Sequence, residues 1–284
     1  MKSNHHTFII IYRAVLAAVL FTSCVKDELY DTPHPDRGAV VVTTDWYGKS
    51  HEADIPQVYA LSIGGLEQEA SGETNVLTRL LSPGRYTLTA YNKPDQITIT
   101  GNTASVNATQ AGHIHPTPGY LFASVQEDIS VLADDTIYVT AQMKQLVRRL
   151  DLELSATEGD YSRVLSATAT LSGMASAVDI TTGERSMAAQ VTNTFRQDGN
   201  KFTLYFRVLG IVPAEAQTLT VDITFNNGDT QRIMSDLGNA MDKFNDGTEP
   251  MRLTGNLLLP VEAGVTGANI TGWNEVEGGN GDAN

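Results

Sequence analysis

Most of the chain alternates apolar and polar residues with a period of two, which is the pattern of a half-buried β-strand. The clearest case is Arg85–Asn92, where Tyr86, Leu88 and Ala90 fall on one face and mostly threonines on the other. Pro83-Gly84 precedes it and suits a turn, because proline fixes φ and glycine tolerates a positive φ. We therefore predict a tight turn and then a strand with one buried face.

Two hairpins are also predicted from the pattern. Thr218–Phe225 alternates apolar residues with polar ones, and Asn226–Asp229 supplies turn residues before a second strand at Thr230–Met234. The dipeptide Asp198-Gly199 is a typical two-residue hairpin turn and leads into a strand at Phe202–Val208.

The remaining segments give weaker patterns. Leu66–Asn75 is polar and predicts a loop, and Asn102–Ser130 predicts a long connection with one short strand near Leu121–Val125. Ser235–Phe244 predicts one short helical turn. Further strands are predicted at Ala39–Trp46, Gln57–Ile63, Val76–Leu81, Gln96–Thr100, Thr136–Thr140, Val164–Leu171, Ala177–Thr181, Leu253–Leu259 and Ala268–Val276.

One segment is compatible with two kinds of element. Leucines alternate with acids across Leu150–Leu154, which favours a strand because the acids then share the opposite face. Ser155–Asp160 interrupts the apolar alternation, so the patterned segment has the length of a strand. A helix over Met143–Leu154 is the competing interpretation.

The N-terminal segment has the features of an export signal. Lys2 and Arg13 make its start basic, and Ala14–Phe21 is an uncharged apolar run of the length expected for a signal-peptide core. The run is too short to span a bilayer, which takes about 20 apolar residues.

The small residues Thr22 and Ser23 stand directly before Cys24, the single cysteine of the sequence. This arrangement resembles the lipobox of bacterial lipoproteins, in which signal peptidase II cuts between the positions of Ser23 and Cys24 and the thiol carries diacylglycerol. Phe21 departs from the family, which usually has leucine there. The competing interpretation is a small buried hydrophobic residue, the commonest role of a lone cysteine.

The residues after Cys24 predict a tether. Val25–Arg37 contains two prolines, three aspartates and little apolar material, so it cannot bury much surface. Within it, the cluster Lys26, Asp27 and Glu28 resembles the signal that sends lipoproteins of Bacteroidota to the outer face of the outer membrane. A solvated charge run is the alternative.

Many short strands without helix-length periodicity predict an all-β fold of β-sandwiches. Removing residues 1–23 leaves 261 residues, which suits two tandem domains. The predicted organisation is a lipoprotein signal peptide at 1–23, a lipidated flexible tether at 24–37, an N-terminal β-sandwich at 38–141, a C-terminal β-sandwich at 142–276 and a disordered tail at 277–284.

Charge narrows the class of partner. The formal net charge is −14, and removing residues 1–23 takes away two basic residues and no acid, which leaves 17 basic against 33 acidic residues. Nucleic acid is not an expected partner, because phosphate contacts need a basic patch. If the single cysteine is lipidated, the mature chain has no free thiol and therefore no disulfide.

The sequence offers little catalytic or metal-binding chemistry. His113 and His115 would share a face of a strand, but no cysteine or nearby acid completes a metal site and Pro116 favours a loop. Asp134-Asp135 lacks the oxygen-rich spacing of a calcium loop. Common hydrolase, metalloprotease and phosphate-binding motifs do not occur. We expect no metal and no cofactor.

Several segments together resemble the fimbrillin-type lipoproteins of Bacteroidales, in particular the FimB/Mfa-like fimbrial anchor and accessory subunits. They are Cys24 with the acidic residues that follow it, Leu81–Asn92, Leu171–Ala175 and Ile270–Trp273. The resemblance implies two transthyretin-like β-sandwiches, an acyl chain in the outer membrane, and subunits joined by donor-strand exchange. In that exchange a strand of one subunit fills a groove of the next.

Polymerising fimbrillins have a first strand before an arginine, at which a trypsin-like protease cuts to open the groove. Arg37 matches the arginine, but Val25–Asp36 is not strand-like. Cutting at Arg37 would release the protein from its lipid without opening a groove. The resemblance therefore implies an anchor or accessory subunit rather than a shaft subunit.

If this chain donates a strand, the candidate is Ala268–Val276. The alternative is that the segment is simply the last strand of the second sandwich. The most strand-like residues of the candidate are Asn269, Ile270, Thr271, Gly272 and Trp273.

We expect a non-enzymatic lipoprotein of the outer membrane, facing the cell exterior, that anchors or joins a fimbria-like polymer in adhesion. Its expected partners are the membrane, through the lipid, and fimbrillin-like subunits. The alternative is a glycan-binding surface lipoprotein of a polysaccharide-uptake system, which would stack sugars on exposed aromatic rings. Trp46 and Trp273 lie in predicted strands, which favours a core role. An enzyme is the third and weakest option.

Overall fold

The computed structural model describes residues 36–260 and 267–276. All the strands lie in one compact unit, Arg37–Asn284. The described residues form strands with two single turns of 3-10 helix, at Tyr161–Arg163 and Phe244–Asp246, and no α-helix. No helix among them is long and apolar enough to cross a membrane. The strands are β1 (Ala39–Asp45), β2 (Val58–Ile63), β3 (Leu66–Ser71), β4 (Thr74–Val76), β5 (Gly84–Tyr91), β6 (Ile97–Thr100), β7 (Thr103–Val106), β8 (Ala108–Gln110), β9 (His113–Ile114), β10 (Phe122–Val131), β11 (Thr136–Gln142), β12 (Lys144–Gln145), β13 (Arg148–Glu158), β14 (Val164–Asp179), β15 (Arg185–Thr194), β16 (Arg196–Asp198), β17 (Lys201–Val208), β18 (Thr218–Phe225), β19 (Thr230–Asp236), β20 (Met251–Leu258) and β21 (Asn269–Val276).

Two sheets form the first sandwich, with strand orders β11-β1-β4 and β12-β10-β5-β2-β3. Their inner faces share one core, which includes Val40 and Val42 of β1 and Leu88 of β5, all fully buried. The strand predicted after Pro83-Gly84 is confirmed as β5, whose alternate residues Leu88 and Ala90 are buried. The period-two pattern thus located this core correctly.

Two further sheets form the second sandwich, with strand orders β16-β17-β13-β20-β21 and β19-β18-β14-β15-β9-β8. The predicted hairpin at Asn226–Asp229 is confirmed, since β18 and β19 pair from Thr218↔Asp236 to Thr224↔Thr230. The segment around Leu150–Leu154 is a strand and not a helix, and β13 continues past Ser155 to Glu158. The all-β, sandwich-type fold class is confirmed.

The strand predicted at Gln96–Thr100 is confirmed as β6, but residues 103–114 do not form the long connection that was predicted over Asn102–Ser130. They form β7, which pairs with β14, and β8 and β9, of which β9 pairs with β15. The prediction was wrong because these strands are short and partly polar; every side chain of β8 is exposed. Strands from within the range predicted for the first sandwich therefore complete a sheet of the second, across the predicted boundary at 141/142.

Two other local predictions were wrong for physical reasons. Leu66–Asn75 was predicted as a loop but contains β3 and most of β4, sheet-edge strands whose side chains are mostly exposed and therefore polar. The strands predicted separately at Val164–Leu171 and Ala177–Thr181 belong to one long strand, β14, which ends at Asp179 and has a bulge between them. Gly173 takes a positive φ of 74° there, and the pairing register with β15 shifts between Leu171 and Met174.

Candidate functional site

The residues predicted for lipidation and export lie outside the described part of the chain. They are Ser23, Cys24, Lys26, Asp27 and Glu28. Among the predicted functional segments, the possible donor strand is the one that the structure describes, as β21.

β21 is the last strand of its sheet and pairs antiparallel with β20 only. The register runs from Leu258↔Asn269 to Arg252↔Val276 and shifts between Thr254 and Asn256. Six of the eight side chains of β21 are exposed. Its other edge has no partner strand among the described residues and can accept an added strand.

Two side chains fix β21 to the body of the sandwich. Ile270 is buried, and burying such a side chain contributes about 1.5–3 kcal/mol. The Trp273 indole Nε1 donates to Ser235 Oγ of β19, in the opposite sheet, over 2.7 Å. The ring lies over Gly255, where any Cβ would stand 3.2 Å from Trp273 and from Ile270. β21 is thus an edge strand with few anchors.

The structure places Asn269–Trp273 where the alternative interpretation expects it, as the last strand of the second sandwich. Gly272 takes a positive φ of 66°, and its neighbour Asn274 donates from Nδ2 to the Gly272 carbonyl over 2.9 Å. Donation of this strand to a second subunit would require it to leave β20. It stays a prediction.

Arg37 marks the start of the ordered ladder. Gly38 exchanges backbone hydrogen bonds with Leu81, and the Ala39 amide donates to the Asp135 carbonyl. The Arg37 carbonyl itself accepts from the Asp134 amide over 3.1 Å. The bond that a trypsin-like protease would cut is therefore held by backbone hydrogen bonds on both sides.

The residues weighed as metal ligands are not brought together. His113 Nδ1 lies 3.3 Å from the Thr192 hydroxyl, and His115 Nδ1 accepts from the Thr117 amide. Among the described residues, no group of three or more histidine, cysteine, aspartate or glutamate side chains could hold a metal ion.

Both tryptophans contact a core. Trp46 packs edge-on against Tyr59 and Phe122, with ring centroids 5.9 Å and 5.3 Å away. Trp273 packs against the second core. Neither is among the strongly exposed hydrophobic side chains, so the sugar-stacking role considered for them is not supported.

A polar cluster joins the two sandwiches. Arg149 of β13 donates to both carboxylate oxygens of Glu52, at 3.0 and 3.2 Å, and to Asp151 at 2.6 Å. The Tyr120 hydroxyl donates to Glu52 over 3.2 Å, and its ring lies under the Arg207 guanidinium, 5.2 Å away.

Electrostatics within this cluster follow from partial burial. Burial, and then the charge of Glu52 and the hydrogen bond to it, raise the pKa of Tyr120 to about 12. Burial also raises the pKa of Asp151, against the opposing effect of Arg149. With every acid paired to a cation, the cluster connects the sandwiches and offers no free nucleophile.

A buried amide makes a second connection. Gln145 accepts from the Ser50 amide over 2.8 Å and donates to the carbonyls of Val147 and Thr248, at 2.8 and 3.1 Å. Sequence reasoning missed both connections, because no local pattern reports partners such as Glu52 and Arg149 that stand 97 positions apart.

Solved structures share this fold at low sequence identity. A candidate adhesin from Bacteroides ovatus is 15% identical with a TM-score of 0.60, covering 77% of this chain and 88% of that one. A second candidate adhesin from that species is 11% identical with a TM-score of 0.59, covering 85% and 96%. The fimbrial anchor protein Mfa2 from Porphyromonas gingivalis is 13% identical with a TM-score of 0.56, covering 84% and 97%.

No curated protein sequence matches the chain. The family model for fimbrillin-A associated anchor proteins Mfa1 and Mfa2 matches residues 30–278, which is most of the chain and includes both sandwiches. The chain therefore belongs to the family of fimbrillin-A associated anchor proteins.

Proposed function

We propose that this chain is a lipid-anchored protein of the outer membrane, facing the cell exterior, that anchors or joins a fimbria-like polymer. The observation that carries the proposal is the family match over residues 30–278. The role is one of binding and attachment without catalysis. The described acids at the junction of the sandwiches are engaged in ion pairs, which fits that role.

The membrane link is assigned to Cys24, after cleavage between Ser23 and Cys24. It is supported by the apolar run and small residues that precede this cysteine. In living cells fed a clickable fatty acid, the parent chain should become labelled and remain in the membrane fraction.

Cys24→Ala should abolish both the label and membrane retention. Thr32→Ala, a small substitution in the same proposed tether, is the matched control and should behave as the parent. Unchanged retention of Cys24→Ala would refute the lipid anchor.

The link to the polymer is assigned to strand exchange through β21, with Asn269–Trp273 as the donated segment. Support comes from its position at the edge of a sheet and from its two anchors, Ile270 and Trp273. A donated strand gains backbone hydrogen bonds in the acceptor groove, and alternate side chains fix its register.

A photo-crosslinking amino acid at Thr271 tests this link in whole cells. Thr271 is exposed on β21, and Thr181, exposed in a turn of the same sandwich, is the control position. We expect adducts with fimbrillin-like subunits from position 271 and none from 181. Equal yields, or adducts from 181 alone, would contradict strand exchange through β21.

A further inference from the structure

Two open concavities lie side by side at the end of β1. One, of about 400 Å³, is enclosed by residues of both sandwiches, among them Gln145, Arg185 and Asn245. The other, of about 840 Å³, lies against Trp46 and the first sandwich. Both volumes fall within the usual range of ligand sites. Asp45 and Tyr47 line both concavities, so the two adjoin, and we call them together the groove and each of them a half of it.

Tyr47 lines both halves and is 95% exposed. A large aromatic ring left to water on a fixed turn is a feature of recognition sites, because a ring can stack on an apolar ligand face. The turn is fixed by Asp45, whose carboxylate accepts from the Tyr47 amide over 2.9 Å, and by a Lys49 to Trp46 backbone hydrogen bond.

The loop that carries Tyr47 is also tied to the second sandwich. The His51 amide donates to Glu249 over 3.1 Å. The Ser50 amide donates to Gln145 of β12, which in turn donates to the Thr248 carbonyl of the second sandwich. A ligand that reached this ring would therefore meet a loop that is already ordered, which lowers the entropic cost of binding.

Arg185 is held in place on the wall of the smaller half. Its Nε donates to the Leu209 carbonyl over 2.6 Å, and its side chain crosses the face of Gly210. A Cβ at position 210 would lie 2.1 Å from Nε of Arg185, so the arginine side chain can occupy this position only because residue 210 is a glycine. Among the described residues Arg185 forms no ion pair, and burial lowers its pKa while the more distant charge of Asp246 opposes the shift.

The charges around the smaller half balance. Arg185 and Lys144 oppose Asp45 and Asp246, in a protein whose formal net charge is −14. An anion would meet two carboxylates, and a cation would meet two basic groups. A neutral ligand rich in hydroxyls can instead accept from the arginine and donate to the carboxylates.

We propose that this groove binds a neutral oligosaccharide, with one sugar stacked on Tyr47 and its neighbours hydrogen-bonded by Arg185, Asp45 and Asp246. Two adjoining halves that share one exposed ring suit a chain of sugars better than a single unit. The site adds glycan recognition to the attachment role and does not depend on strand exchange.

The test uses the full mature chain in detergent and immobilised glucan, mannan, galactan and xylan oligosaccharides. Uronate-containing oligosaccharides and acidic peptides are included as the competing ligand classes. We expect at least one neutral oligosaccharide to bind. Tyr47→Ala should weaken it about tenfold, the upper end of what a stacked ring contributes.

Tyr161→Ala, a partly exposed tyrosine of the second sandwich outside the groove, is the matched control and should bind as the parent. Arg185→Gln should also weaken binding, with an unfolding midpoint measured to separate this effect from loss of the fold. The proposal is overturned if only uronates or peptides bind, if no oligosaccharide binds, or if Tyr47→Ala binds as the parent does.

Discussion

Tyr120 shows how one residue can report on the junction of the sandwiches. It packs against both cores, and its hydroxyl donates to Glu52 while its ring supports Arg207. Because the pKa of Tyr120 is raised to about 12, the folded chain keeps this proton between pH 10 and pH 12 whereas the unfolded chain releases it. The contribution of Tyr120 to stability is therefore present below pH 10 and is lost as the pH rises toward 12.

This predicts a specific effect of Tyr120→Phe. The free energy of unfolding of the parent should fall more steeply between pH 10 and pH 12 than that of the variant, because the variant has no proton to lose there. Urea unfolding across this pH range measures both slopes. Parallel curves for Tyr120→Phe and the parent would contradict the prediction.

Gln145 provides a second prediction at the scale of one residue. Gln145→Leu keeps the volume but leaves the Ser50 amide without its acceptor and two carbonyls without a donor. An unsatisfied buried polar group costs about 1–3 kcal/mol, so the urea midpoint should fall clearly. The exposed neighbour Gln142→Leu should change the free energy of unfolding by less than about 0.5 kcal/mol. Equal effects of the two substitutions would show that the buried amide is not a structural link.

Sequence and structure agree best where a residue's role is local. Leu88 and Ala90 could be assigned to a core because alternation alone decides which face of a strand is buried. The contacts of Glu52, Gln145 and Arg185 could not be predicted, because their partners are set by the way distant strands meet. The exposure of Tyr47 could not be predicted for a related reason. Whether an aromatic side chain just after a strand is exposed depends on which distant segments pack beside it.

At the scale of the element, β18 and β21 are opposite cases. β18 lies inside its sheet and buries every second side chain, whereas β21 lies at an edge and is fixed mainly by Ile270 and Trp273. Strands with few buried contacts open locally at low free energy.

Amide hydrogen exchange should therefore separate these two elements. We expect the amides of β21 to exchange much faster than those of β18 in the isolated chain, and to become protected when a polymer partner binds. Trp273→Phe, which loses the bond to Ser235, should speed exchange in β21 further, while Thr254→Ser on β20 should not. Equal protection of β18 and β21 would argue against an easily released strand.

Prediction of elements also succeeded or failed according to position in a sheet. β5, β17 and β18 have one buried and one exposed face, so alternation identifies them. β3 and β8 lie at sheet edges and expose half and all of their side chains, respectively, so the polar composition that protects an edge resembles that of a loop.

At the scale of the whole molecule, the segment 97–114 ties the two sandwiches together. Ile97, Ala104, Val106 and Ile114 belong to the core of the second sandwich. A fragment comprising residues 142–276, the range predicted for an independent C-terminal domain, lacks these side chains and the strands β7 and β9 that pair with β14 and β15. We expect it to aggregate or to unfold well below the parent in a thermal melt. A cooperative melt like that of the parent would show that the boundary at 141/142 separates two autonomous domains.

The parallel pairing of β1 with β11 has a consequence for how the chain is made. β1 is among the first described segments to leave the ribosome, yet Ala39–Asp45 pairs with Thr136–Gln142, far later in the sequence. Contacts between distant segments form slowly, because a long loop must close before they can add stability. The first sheet therefore cannot close before Thr136–Gln142 has left the ribosome, so this sheet of the first sandwich is completed only after nearly a hundred further residues have been synthesised.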